Sequence, residues 1–315
     1  MTPSLLFYRK MHIACRGMDS FCEHFCRRVF VISMAESASN KKIPRPYFLY
    51  GTAWKEERTS GLVEKALAQG FRAFDTANQR KHYHEAGVGQ ALTQAMSRGD
   101  VAREDLFLQT KFTFQAGQDH RLPYDPRAAV SVQLEQSFAS SLEHLGIEHL
   151  DSYVLHGPSQ RNGLAAADWE AWRAMERIHD SGRVGKLGVS NVTLEQLESL
   201  CGEARVLPAF VQNRCYAARG WDRPVREFCQ ANTIVYQGFS LLTANRTEMA
   251  SPAILEIARR HGRTAAQVVF RFALAAGMLP LTGTTDAGHM REDLAAAEFE
   301  LTAAEIGAIE NIGQH

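Results

Sequence analysis

The chain has 315 residues, 45% hydrophobic and 22% charged, which is ample for a sizeable core and ordinary for a soluble globular protein. Basic and acidic residues balance to a formal net charge of zero, which is not the electrostatic footprint of a nucleic-acid binder. No apolar run is long enough to cross a bilayer.

Residues 1–45 stand apart from the rest. "RKMHIACRGMDSFCEHFCRRVFVISM" sets Arg9, Lys10, Arg16, Arg27 and Arg28 against only Asp19 and Glu23, and it lacks the continuous apolar core of a secretory signal. It reads as a disordered extension, or as sequence upstream of a start at Met34, with a mitochondrial-type leader as the alternative. "AESASNKKIPRP" then reads as a linker. Three of the six cysteines, Cys15, Cys22 and Cys26, fall here; Cys201, Cys215 and Cys229 are scattered. "CEHFC" with His12 or His24 lacks the second cluster that a zinc site needs. Reduced thiols in a cytoplasmic protein are the expectation.

From Tyr47 onward, eight short apolar segments alternate with helix-like segments of 3.6-residue period. In order the strands are "FLYGTA", "FRAFDTA", "LFLQTKF", "LDSYVLH", "KLGVSN", "AFVQNRCY", "TIVYQGF" and "MLPLTG". The helices between them include "SGLVEKALAQG", "HEAGVGQALTQAMSRG", "PRAAVSVQLEQSFASSLEHLG" and "WEAWRAMERIHDSG", several closing on glycine. Such alternation implies parallel strands with right-handed crossovers. Eight units over residues 46–315 match a single α/β domain, the closed (β/α)8 TIM barrel. An open doubly wound sheet is the alternative. It would want a glycine-rich phosphate loop after the first strand, and the only GVG sits inside a helical pattern.

The C-terminal ends of the strands carry Thr52 and Trp54, Asp75 and Asn78, Lys111, His156, Ser190 and Asn191, Gln212 and Asn213, Tyr236 and Gln237, and Thr282 and Thr284. In a barrel these ends line one mouth, where active sites sit. So many polar groups together are hard to explain structurally, because each costs free energy when buried unpaired. Asp75 and Lys111 are expected to pair. Tyr83 follows the second strand; beside a lysine ammonium its phenolate is favoured and its pKa is expected to fall. A tyrosine and a neutral His156 would together polarise and protonate a carbonyl oxygen. Protonation alone reduces nothing, so a hydride donor is implied. Ser190, Asn191 and Gln212 suit a nicotinamide carboxamide, and Tyr236 offers an aromatic face.

"GTAW", "FDTANQRKHYHEAGVG", "VAREDLFLQTK", "SYVLHGP", "GRVGKLGVSN", "FVQNRCY" and "VYQGFSLL" resemble the successive signatures of the aldo-keto reductase family over about Phe48 to Asn311. The resemblance implies a barrel that binds NADPH in extended form and reduces aldehydes or ketones. Carried over by motif, the catalytic tetrad is Asp75, Tyr83, Lys111 and His156. Thr52, Ser190, Asn191, Gln212, Tyr236, Gln237, Phe239, Ser240, Leu242, Thr282, Thr284, Glu292 and Asp293 fall at cofactor positions, and Trp54, Trp221 and His156 at the substrate pocket. Where the family has its tyrosine five residues after the aspartate, this chain has Arg80. Counted back from Glu85 and Gly89, His82 takes the tyrosine's place and Tyr83 stands one further on. Tyr83 is the expected donor and His82 its rival. Leu281 stands where the family carries the lysine that grips the 2′-phosphate, and His289 aligns with the family's arginine. NADPH is the family's cofactor, and NADH is the alternative. The chain ends soon after "FELTAAEIGAIENIGQH", without the long loop that covers bulky substrates in some members, so an open mouth is expected. Two other functions use the same residues: a non-catalytic nucleotide-sensing subunit, and a Schiff-base aldolase built on Lys111. The partners expected are a small carbonyl substrate, with no nucleic acid and no membrane, for a monomer.

Overall fold

The structure is a computed structural model and describes residues 48–313. The expectations for residues 1–45, including those for Cys15, Cys22 and Cys26, lie outside the described residues.

Eight parallel strands close into a barrel in sequence order: β1 (Leu49–Gly51), β2 (Ala73–Asp75), β3 (Phe107–Phe112), β4 (Leu150–Leu155), β5 (Val184–Ser190), β6 (Phe210–Arg214), β7 (Val235–Phe239) and β8 (Leu279–Thr282). Closure is direct, with Leu49 opposite Leu281 and Tyr50 opposite Thr282. The outer ring consists of α1 (Thr59–Ala68), α2 (Glu85–Ser97), α3 (Val130–Leu145), α4 (Ala166–Asp180), α5 (Leu194–Glu203), α6 (Arg223–Ala231), α7 (Arg246–Met249), α8 (Pro252–His261), α9 (Ala265–Ala275), α10 (Ala287–Leu294) and α11 (Ala303–Glu310).

Side chains alternate across a strand with period two, and each strand here splits its residues accordingly. Outward residues such as Tyr50, Phe74, Leu108, Tyr153, Val211 and Tyr236 join the large cluster under the helices. Inward residues form layers. Leu49, Ala73, Phe107 and Leu279 plug the N-terminal end of the barrel, with Phe210 and Leu281 against them. Above that plug the interior turns polar, with Asp75, Gln109, Ser152, Gln212 and Gln237 all buried. The same parity that points Asp75 inward sends Tyr236 outward.

Several helices start on side-chain caps. Thr193, Ser251, Thr264, Asp286 and Thr302 each accept a backbone N–H from the first turn of the helix they precede. The GVG sequence lies inside α2, as its helical pattern implied. A side chain on Gly89 would stand 2.1 Å from the carbonyl oxygen of His144, so this glycine lets α2 and α3 approach closely. No helix among the described residues is long and apolar enough to cross a membrane.

Candidate active site

A cavity of about 710 Å³ opens at the C-terminal ends of the strands. At its floor β2 and β3 bring Asp75 and Lys111 together. The Lys111 ammonium donates to both carboxylate oxygens, at 2.7 and 2.6 Å, and to the Thr76 carbonyl at 2.8 Å. All three of its protons are committed, and the side chain is wholly buried. Burial pulls its pKa below the usual lysine value, while the Asp75 charge acts the other way.

Tyr83 comes from the turn before α2. Its backbone N–H, like that of His82, bonds the Gln79 carbonyl at 3.0 Å. This turn splits the two rivals. Tyr83 swings over Lys111, with its ring centre 5.3 Å from the ammonium, and meets His156 edge-on at 6.0 Å. It lines the cavity. The His82 ring lies on Trp54 instead, 3.9 Å between centres, with Nδ1 on Gln79 at 2.8 Å. One expectation needs correction. The Tyr83 pKa is raised rather than lowered, by burial first and then by the Asp75 charge. Lys111 does not oppose this, because its charge is compensated by the carboxylate it grips. Tyr83 therefore keeps its proton.

His156, just after β4, also lines the cavity. Its Nδ1 is 2.7 Å from the Thr113 hydroxyl. Burial and then the Lys111 and His82 charges push its pKa down to about 3, so the ring is neutral. If Nδ1 accepts from Thr113, Nε2 carries the proton and can donate to a ligand oxygen.

Across the mouth stand Ser190, Asn191 and Gln212. Asn191 adopts a left-handed φ of 54°, and its amide nitrogen bonds the His156 carbonyl at 2.8 Å and Ser190 Oγ at 3.1 Å. Both its donors are used, which leaves Oδ1 as an acceptor. Gln212 is in the same position, with its nitrogen bonded to Asp75 at 3.0 Å and Gln237 at 2.9 Å. The Ser190 hydroxyl donates to the Gln212 backbone carbonyl at 2.6 Å, and the two free acceptors match the two N–H donors of a primary carboxamide. The cavity then runs past Phe239, Ser240 and Leu242 to Thr282, Thr284, His289, Glu292 and Asp293. Thr282 donates to Asp293 at 2.7 Å, and burial lifts the Asp293 carboxyl to about 6.

Besides Lys111, which lies wholly buried beneath the floor, four expected residues do not face this cavity. Tyr236 is buried under the helices, its hydroxyl on Asp222 at 2.8 Å. The aromatic ring that the end of β7 presents is Phe239, three residues after Tyr236 and so on the opposite, inward face. Gln237 points inward but lies below the cavity, bonded to Gln109 and Gln212. Thr52 points outward, and its N–H and hydroxyl both bond the Asp75 carbonyl at 3.0 Å. Trp221 is wholly buried against Phe272, with Nε1 donating to the Ile309 carbonyl at 2.9 Å, so it anchors α11 and is no pocket wall. Trp54 is 67% exposed and does line the mouth.

Lys55 was missed by sequence reasoning. It lines the cavity, is 3% exposed, and donates to the Gly283 carbonyl at 2.7 Å. The signal was a lysine directly after the first strand, in "GTAWK". Thr113 and Gln109 were missed too, since neither residue type announces a role without its neighbours. Among the described residues no group of three or more His, Cys, Asp and Glu could hold a metal ion.

The family model for the aldo/keto reductase family matches residues 49–314. The chain belongs to the aldo-keto reductase family. It is thus an oxidoreductase of that type. It is 32% identical over 274 residues to deoxymugineic acid synthase 1 of Zea mays, covering 80% of this chain and 82% of that one. It is 27% identical to the oxidoreductase YtbE of Bacillus subtilis, covering 89% and 94% of the two chains. Among solved structures, an aldo-keto reductase of Brucella melitensis superposes with a TM-score of 0.70 at 26% identity, over 84% of this chain and 94% of that one. A second, described as complexed with NADPH, gives 0.73 at 24% identity over 86% of each chain and supports the barrel fold.

Proposed function

We propose that this barrel reduces an aldehyde or ketone to an alcohol with NADPH, using Tyr83 as the proton donor. The observation that carries the reading is a protonated tyrosine beside a neutral histidine, at the floor of a long cavity with a carboxamide-shaped acceptor pair. NADPH, when bound, supplies a hydride to the carbonyl carbon. Asn191 Oδ1 and Gln212 Oε1 would accept the two carboxamide N–H groups, while the Ser190 hydroxyl, which donates to the Gln212 backbone carbonyl at 2.6 Å and accepts from Asn191, would help hold both amides in place. Phe239 offers the ring face that had been expected of Tyr236. Lys55 and Arg214 both line the cavity, and Lys55 is the buried cation that would face the phosphates.

His156 donates from Nε2 to the substrate oxygen and orients it. Tyr83 gives that oxygen its proton as negative charge develops there. The phenolate left behind lies near the Lys111 ammonium, which Asp75 holds in place. NADPH is favoured by the family membership and by the NADPH-complexed fold neighbour. Neither Leu281 nor His289 offers a fixed cation to a 2′-phosphate, so NADH binding is the comparison to make.

The Schiff-base reading loses support, because Lys111 is wholly buried and hydrogen-bonded three ways. Tyr83→Phe is the decisive variant. Turnover of small aldehydes should fall at least about a hundredfold, the usual worth of a positioned acid, while NADPH affinity, read by protein fluorescence, holds. Wild-type turnover in that variant would sink the assignment. Absence of any turnover in the wild type, with tight cofactor retention, would favour the sensing subunit.

A further inference from the structure

Below Asp75 the barrel interior holds three glutamine amides in one closed network. Gln109 Nε2 donates to Asp75 Oδ1 at 2.7 Å and to Gln237 Oε1 at 2.8 Å. Gln212 Nε2 donates to the same two oxygens, at 3.0 and 2.9 Å. Gln237 Nε2 returns a bond to Gln109 Oε1 at 3.0 Å, and the Ser152 hydroxyl bonds that oxygen at 3.0 Å. No member is more than 3% exposed. Gln109 and Gln237 do not line the cavity, whereas Gln212 does.

An amide has two N–H donors and one carbonyl, and burial makes each unmade bond costly. Both N–H groups of Gln212 are spent inside the network, so only its oxygen is left for the cavity. Turning the amide over would set that oxygen against Asp75 and against the Gln237 carbonyl, and would strand both donors. Gln237 is fixed in turn, because its oxygen receives two donors while its nitrogen is held by Gln109.

We propose that Gln109 and Gln237 are positioning residues that lock Gln212 with its oxygen facing the cavity, so that the site selects a nicotinamide bearing a primary carboxamide. This rests on the dinucleotide reading above. The locked Gln212 oxygen and Asn191 Oδ1 are both acceptors. A methyl ketone in place of the carboxamide brings an acceptor and no N–H, and leaves both of them unpaired. Sites built to hydrogen-bond a group reject analogues that lack it for this reason.

The test is direct binding of NADPH and of its 3-acetylpyridine analogue to the full chain, read by protein fluorescence. The wild type should bind NADPH at least about tenfold more tightly than the analogue. In Gln237→Leu the N–H released by the lost carbonyl can turn to the cavity while the other stays on Asp75. The preference should then fall to about twofold, in part through better binding of the analogue. A merely structural role would weaken both ligands equally and keep the ratio, and that result overturns the proposal. Equal binding of both by the wild type overturns it as well. Should Gln237→Leu fail to fold, Gln109→Met removes the bond that fixes Gln237 and should move the ratio the same way; an unmoved ratio there also sinks the proposal. A wild type that binds neither nucleotide defeats the dinucleotide reading, and this inference with it.

Discussion

Lys55 is the residue on which cofactor affinity should turn. It is buried, has no carboxylate partner among the described residues, and makes one hydrogen bond, to a backbone carbonyl. Burial and then the nearby Arg58 charge bring its pKa down to about 8. The sign follows from the charged form. Below that value Lys55 carries its proton and can face phosphate oxygens; as pH rises through it, the free protein loses the charge and the dinucleotide loses an ion pair. NADPH affinity should weaken by on the order of tenfold between pH 6.5 and 9.5, about the worth of one partly buried pair. Lys55→Met should bind weakly and flatten that dependence; a variant with the wild-type pH profile would remove Lys55 from the phosphate site. Asp75, Lys111 and His156 were legible in the sequence because each closes a strand with a group that burial does not tolerate alone. Lys55 was equally visible but had no sequence partner to flag it. Tyr236 was misjudged for want of parity, because consecutive residues of a strand cannot both point into the barrel, and Gln237 does.

The strand–helix units were legible because both periods, 2 and 3.6, recur in order along the chain. Loop geometry was not. "NQRK" read as loop length inserted before the donor, and the structure makes it part of a tight turn on the Gln79 carbonyl. That turn sends Tyr83 inward and leaves His82 on Trp54, a choice that no hydrophobic pattern encodes. The turn feeds directly into α2, so the seating of α2 on α3 bears on the donor's position. Gly89 sets that seating: a methyl there would stand 2.1 Å from the His144 carbonyl oxygen and 2.8 Å from Leu145 Cα, and backbone atoms cannot swing aside. Gly89→Ala should therefore force the two helices apart and cost about 1–3 kcal/mol, as overpacking does. Thermal unfolding would measure it. The same variant should lower turnover more than NADPH affinity, since the turn that leads into α2 carries Tyr83 and none of the residues proposed to hold the carboxamide. An unchanged melting temperature would show that the helix crossing has room to spare.

His156 and Asp293 lie at opposite ends of the same cavity, and the response of the whole fold to acid should report both. His156 has a folded pKa near 3 against an ordinary 6.5. Between those values the unfolded chain binds the proton and the native one does not, so this group's stabilisation is lost as pH falls from 6.5 toward 3. Asp293 has the opposite sign. Its folded pKa is about 6 against an ordinary 3.8, so the native state holds the extra proton, and that stabilisation is lost as pH rises through 6. The two slopes oppose each other between about pH 4 and 6, and the wild-type melting temperature should be nearly flat there as far as these groups decide it. Asp293→Asn removes one side of the balance. It keeps an acceptor for the Thr282 hydroxyl and abolishes the cost of a buried carboxylate. The variant should match the wild type near pH 4 and exceed it near pH 6.5, by on the order of 2 kcal/mol at most. Its melting temperature should therefore climb with pH more steeply than that of the wild type across the same interval. Parallel curves for the two proteins from pH 4 to 6.5 would mean that Asp293 ionises freely in the fold, and that the β8 end of the cavity is wetter than its packing implies.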